Sequence, residues 1–222
     1  MKLGRYLLGS LLLGAVGAAG TLAVKAARTL MPTKGKKIGT YLKPRSALLV
    51  VDIQEDFTGE RNGKKPLFPE TASFINLANR VIEGAVKQDM LVVYIGHEWP
   101  DTLLNRLLGR GRAVAGSDGA RLDGRLKVVS PHYFAKCRAD AFANRELEEL
   151  LIANQVDEIF LLGLDGAYCV YRTAQGAVNR DYKVQVVDDV VLTMTKKSRQ
   201  ELVDQYRKAG ISTVESKWLI RD

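Results

Sequence analysis

Three residues of different chemistry each follow an apolar stretch of the chain. Cys169 lies in GLDGAYCV, shortly after EIFLL at 158–162. At the start of a helix its thiol would feel the positive end of the helix dipole, which eases loss of the proton. A free cysteine can equally be inert core filler. Asp52 lies in VVDIQEDF, directly after ALLVV at 47–51. A carboxylate there can be a general base, a helix cap or a ligand. Lys136 lies in HYFAKCRADAF. A lysine in such a place is ordinarily solvated, unless an acid shares a cleft with it and each charge tunes the other. Together the three have a use. The carboxylate takes the thiol proton and the thiolate attacks a carbonyl carbon. The ammonium holds the carboxylate and supports negative charge, and backbone N–H groups at the helix start stabilise the oxyanion.

The elements that must position them can be read from periodicity. Strands are expected at Ala47–Val51, Met90–Ile95, Leu126–Val129, Glu158–Leu162, Val184–Val187 and Ser212–Val214. Helices are expected at Ser73–Lys87, Glu146–Ile152, Ala167–Asn179 and Arg199–Ala209. Short apolar strands alternating with amphipathic helices imply βαβ units and a mainly parallel sheet covered on both faces, a three-layer α/β/α fold. Ligands of such sheets bind beyond the carboxyl ends of the strands. That rule selects Asp52, Gly96 and His97, the segment His132–Lys136, and Gly163–Cys169.

The segments VVDIQEDF, KCRADAF and GLDGAYCV, with DYKVQVVDDV after the cysteine helix, resemble in order and spacing the signature stretches of the isochorismatase-like cysteine hydrolases. The resemblance covers roughly residues 45–220. It implies a catalytic triad of Asp52, Lys136 and Cys169. It also implies a cis peptide at Leu164–Asp165 and an oxyanion hole formed by the backbone N–H groups of Asp165 and Cys169. An aspartate at 165 is unusual, since that position commonly holds a small residue, and its side chain is expected to face away from the oxyanion. Members that cleave the isochorismate vinyl ether typically lack the cysteine, so Cys169 favours hydrolysis of a C–N bond in a small amide or ureido compound through a thioester. Two alternatives stay open: a non-catalytic binding or scaffold relative, and a nicotinamidase. Nicotinamidases bind a metal through an aspartate and several histidines. Here only His97, in GHEWP, stands near that region, with Glu98 or Asp101 as poor company, so neither a metal nor another cofactor is expected. Phe57, Trp99 and Tyr168 are candidate pocket walls, with core packing an equal use for each. His132 and Cys137 read as structural. The resemblance further implies a homo-oligomer.

Charge and cysteine content narrow the classes. The formal charge of +8 is concentrated: residues 1–45 hold nine basic residues and no acid, and residues 46–222 sum to −1. A near-neutral domain lacks the basic face that nucleic-acid binding needs. Two cysteines make no disulfide framework. Residues 25–45 read as a basic linker with Pro32, Gly35, Gly39 and Pro44, leaving 46–222 as the hydrolase domain. Ahead of it, residues 1–24 contain the 19-residue run Tyr6–Val24 without a charge, which as a helix nearly spans a bilayer core of about 30 Å. A single N-terminal hydrophobic helix in the lipid bilayer is the expectation. The heavier basic flank after it puts the domain on the cytoplasmic side. A cleaved signal with export, or a soluble helix, are the alternatives.

Overall fold

The structure, a computed structural model, describes residues 29–60, 66–68 and 70–220. The expected hydrophobic helix at 6–24 lies outside them. Among the described residues, no helix is long and apolar enough to cross a membrane.

Six strands form one sheet: β1 (Arg45–Val51), β2 (Leu91–His97), β3 (Tyr133–Lys136), β4 (Val156–Leu164), β5 (Lys183–Leu192) and β6 (Ser212–Val214). Their order is β3-β2-β1-β4-β5-β6 and every neighbouring pair is parallel. The helices are α1 (Thr71–Lys87), α2 (Leu103–Leu108), α3 (Arg145–Ala153), α4 (Cys169–Val178) and α5 (Arg199–Lys208).

Strand alternation feeds two cores. Ala47, Leu49 and Val51 of β1 join Leu147 and Leu151 of α3, Val170 and Ala174 of α4, and Leu202 and Tyr206 of α5. Leu48 and Val50 join Phe74, Ala78, Val81 and Ile82 of α1 on the other face. Successive strand residues point to opposite faces, so a continuous apolar run is what a sheet covered on both sides requires. The result is the three-layer α/β/α arrangement expected from the sequence.

The third strand differs from the expectation. Residues 126–129 form no strand: Leu126 packs into the α1-side core, while Val128 and Val129 are exposed. The pairing falls to Tyr133–Lys136 instead, with Tyr94↔Tyr133 and His97↔Lys136 in register. This edge strand is short and partly solvated, so it carries no apolar run to betray it. Lys136 is therefore the last residue of its strand, directly opposite His97.

The basic segment ahead of β1 is tied to the domain from Thr29 onward. Thr33 donates through both N–H and hydroxyl to the buried Asp140 carboxylate (2.6 and 2.7 Å). The Ile38 N–H reaches the Arg180 carbonyl, and the Thr29 carbonyl accepts from Ala139.

The strand order reverses at β1, so β2 and β4 flank it and a crevice opens beyond their carboxyl ends. Close approach of β1 and β4 there depends on Gly163, paired with Val51. Its φ is +122°, and a Cβ would collide with the Val51 carbonyl oxygen. Gly163→Ala is expected to cost about 2–5 kcal/mol, from a forbidden backbone conformation plus overpacking. Thermal unfolding of the variant against the parent checks this.

Candidate active site

Four side chains from four strand ends converge in the crevice. Asp52 is the first residue past β1, with a left-handed backbone (φ 56°) that aspartate tolerates better than most residues. Its N–H donates to the Ile95 carbonyl of β2 (2.8 Å), so the turn is fastened to the neighbouring strand. Cys169 is the first residue of α4, after the turn that leaves β4. Lys136 ends β3 and His97 ends β2.

The buried Lys136 ammonium joins them. Its Nζ lies 2.7 Å from Asp52 Oδ2, 3.2 Å from Cys169 Sγ and 3.2 Å from His97 Nδ1. Asp52 and Lys136 are each only 2–3 % exposed. The reactive atoms of Asp52, His97 and Cys169 all lie within 4.8 Å of one another. An ammonium has three N–H groups and no acceptor. Three acceptors, one for each, lie within hydrogen-bonding distance of it.

Burial and charge set the protonation states. Burial first, and then the Asp52 carboxylate, push the Cys169 thiol up to about 12 against the pull of Lys136. The expected easing by the helix dipole is outweighed, and the resting thiol keeps its proton beside the Asp52 carboxylate. Burial alone would lower Lys136, but Asp52 and the Cys169 sulfur outweigh it and its pKa lies above the ordinary lysine value. Burial, then the neighbouring ammonium, lower His97 to about 4, so its ring is neutral at pH 7.

The turn carrying Cys169 is arranged around Asp165. The Leu164–Asp165 peptide is cis. The N–H groups of Tyr168 and Val170 both donate to the Asp165 carbonyl (3.0 and 3.1 Å), which commits those two donors. The Asp165 carboxylate accepts from the Ala167 N–H, the Thr193 hydroxyl and the Met194 N–H (2.8, 2.9 and 2.7 Å). It thus braces the cysteine turn against the segment after β5.

A cavity of about 450 Å³ opens over Cys169 and Asp52. Phe57, Trp99 and Tyr168, the candidate wall residues, line it. Leu67, Phe68, Met194 and Thr195 line it too and were not anticipated. Met194 and Thr195 follow β5, which runs to Leu192, five residues beyond the Val187 end expected from its apolar stretch. The strand-end rule would have found them had that boundary been correct. His132 lends its carbonyl to the Tyr94 N–H, a structural use, whereas Cys137 is free and exposed.

This constellation can be compared with known proteins. Residues 46–217 match the family model described as the isochorismatase domain. The chain belongs to the isochorismatase family. It is 26% identical over 179 residues to the nicotinamidase of Escherichia coli (strain K12), covering 66% of this chain and 82% of that one. The crystal structure of N-carbamoylsarcosine amidase from Thermoplasma acidophilum shares 28% identity with a TM-score of 0.66, over 78% of this chain and 96% of that one. The pyrazinamidase of Pyrococcus horikoshii in complex with zinc has the same fold, at 23% identity and a TM-score of 0.67 over 78% and 99% of the two chains. The chain is a hydrolase of the amidohydrolase type, the class that acts on non-peptide C–N bonds.

The zinc in one relative raises the question of whether these residues fit a metal. Asp52, His97 and Cys169 have the right atoms in the right proximity, but the Lys136 ammonium is bonded to all three. A cation already occupies their centre, and a divalent ion among the same donors would face it unscreened. Of the other donors near His97, Glu98 accepts from the Tyr133 hydroxyl and Asp101 pairs with Arg106. These residues do not fit a metal centre.

Proposed function

We propose that the protein is a cysteine-dependent hydrolase of a small uncharged amide, working through a thioester. The observation that carries this is the single buried ammonium bonded to both the Asp52 carboxylate and the Cys169 sulfur beneath an open cavity.

On this reading the Cys169 proton passes to Asp52 as sulfur attacks the amide carbon. The oxyanion is met by the Asp165 and Cys169 N–H groups, because every Lys136 N–H is already spent. The adduct collapses with cleavage of the C–N bond, and the proton on Asp52 goes to the departing nitrogen. Water then attacks the thioester, gives a proton to Asp52, and the acid leaves as sulfur regains its proton.

The cavity wall supports an uncharged, apolar acyl group. Among the described residues it is built mainly from Phe57, Leu67, Phe68, Trp99, Leu164, Tyr168 and Met194, and these include no arginine or lysine. Its carboxylates, Asp52 and Asp165, are both engaged. A substrate carboxylate would lose its hydration there, and among the described wall residues none carries a free positive charge to pair with it, an unfavourable burial. A panel of amides tests the reading, with aromatic and aliphatic carboxamides, nicotinamide among them, set against N-carbamoyl amino acids of matched size. We expect turnover of uncharged members, a transient mass increase equal to the acyl group on Cys169, and at least about tenfold lower kcat/KM for the carboxylate-bearing members. Absence of any acyl adduct under turnover would overturn the thioester route.

A further inference from the structure

We infer that His97 is a positioning residue that aims the Lys136 ammonium at Asp52 and Cys169. The inference rests on the functional reading above and extends it to a fourth residue of the site.

The geometry is that of a tripod. Lys136 Nζ has three N–H groups and three acceptors, and His97 Nδ1 is one of them. For Nδ1 to accept, its lone pair must face the ammonium, so the ring proton resides on Nε2. Nε2 is buried and finds no partner among the described residues. A buried donor left without an acceptor destabilises the fold. A leucine or phenylalanine could fill the same space against Trp99, whose ring lies 4.5 Å away, without that orphan. Packing alone therefore does not account for the imidazole, and its contact with Lys136 gives the ring nitrogen a use.

The histidine is itself held. Gln54, fully buried, donates from Nε2 to the His97 carbonyl (3.1 Å) and accepts the His97 N–H at Oε1 (2.7 Å). Gln54 lies two residues after Asp52, so one amide ties the base and the lysine's third acceptor together. His97 and Lys136 are also register partners across β2 and β3. The contact matters most after proton transfer. Once Asp52 has taken the thiol proton it attracts the ammonium less, and the His97 lone pair keeps that ammonium beside the newly formed thiolate.

Substitution by residues that keep or remove the acceptor tests this on the full chain. His97→Asn places an amide oxygen near the Nδ1 position, and His97→Leu has almost the same volume without an acceptor. His97→Phe keeps the ring. The first readout is the rate of Cys169 carbamidomethylation by iodoacetamide, resolved from Cys137 by peptide mass. The second is kcat and KM on an uncharged amide that the parent turns over. We expect His97→Leu and His97→Phe to slow alkylation and lower kcat by about tenfold or more with KM within about threefold, and His97→Asn to stay within about threefold of the parent in both. Should one apolar variant fail to fold, the other makes the same comparison. Parent-like alkylation and kcat in a folded apolar variant would overturn the positioning role while leaving the thioester route intact. A parent that turns over no amide counts against the functional reading, and the alkylation series still decides the role of His97.

Discussion

Cys169→Ala is expected to lower the turnover of any amide the parent hydrolyses by at least about 10⁴-fold, with no loss of stability beyond about 1 kcal/mol. The rate effect is large because the sulfur is the only group at the head of α4 able to form the covalent intermediate. The residual rate would come from the backbone donors and the cavity alone. The stability effect is small for a different reason. The thiol sits at the cavity floor, where its removal leaves no sealed void, and one weak acceptor of Lys136 is lost. Cys169→Ser is the sharper comparison. It keeps the shape and a hydroxyl, but that hydroxyl gives up its proton far less readily than a thiol, so it too should fall by several orders of magnitude. Steady-state rates, with thermal unfolding of each variant, check both halves. A Cys169→Ala protein retaining a tenth of the parent activity would remove the thiol from the chemistry.

Lys136→Met is expected to abolish activity and also to destabilise the fold, by about 3–5 kcal/mol at pH 7. For a domain of this size that corresponds to roughly 6–20 °C in Tm. The Asp52–Lys136 pair is buried, with side chains 3% and 0% exposed, and removal of the cation leaves a buried carboxylate without its counter-charge. The sign of the pH dependence follows. The variant's folded state relieves its burden by binding a proton at Asp52 at a pH where the unfolded chain has released its own. More protons are then bound in the native state, and stability rises as pH falls from 7 towards about 4. Pairing Lys136→Met with Asp52→Leu removes both charges, and the double variant should recover most of the lost stability while remaining inactive. Melting curves between pH 4 and 8, with activity measured alongside, separate the two effects.

Much of this is legible in the sequence. The ALLVV and EIFLL runs are apolar on both faces of the strand, which suits only a sheet buried on both sides. Amphipathic spacing between them forces helical crossovers and hence parallel pairing. From those two facts, Asp52 and Cys169 fall at strand ends where ligands bind. Both signals are local and periodic, and the sequence carries them directly. Lys136 is marked by its motif, whereas the strand beneath it is not marked by its own hydrophobicity. Edge strand β3 has solvent on one side, so its hydrophobic signature is weak, and the more apolar residues 126–129 offered a false one.

What the tertiary structure alone decided is how the charges meet. No spacing in the chain announces that His97 and Lys136 are register partners, because that depends on which residues of two distant segments align across the sheet. Nor does it announce that Gln54 reaches across to the His97 backbone, or that Asp165 is spent on Thr193 and Met194. The thiol's proton affinity followed the same pattern. The sequence showed a helix start, which favours the thiolate, and the folded chain added burial and a neighbouring carboxylate, which oppose it more strongly. Periodicity reports which face of a segment is dry. The energy of a charge depends on every other charge and dipole within a few ångströms, and those come from parts of the chain that only folding brings together.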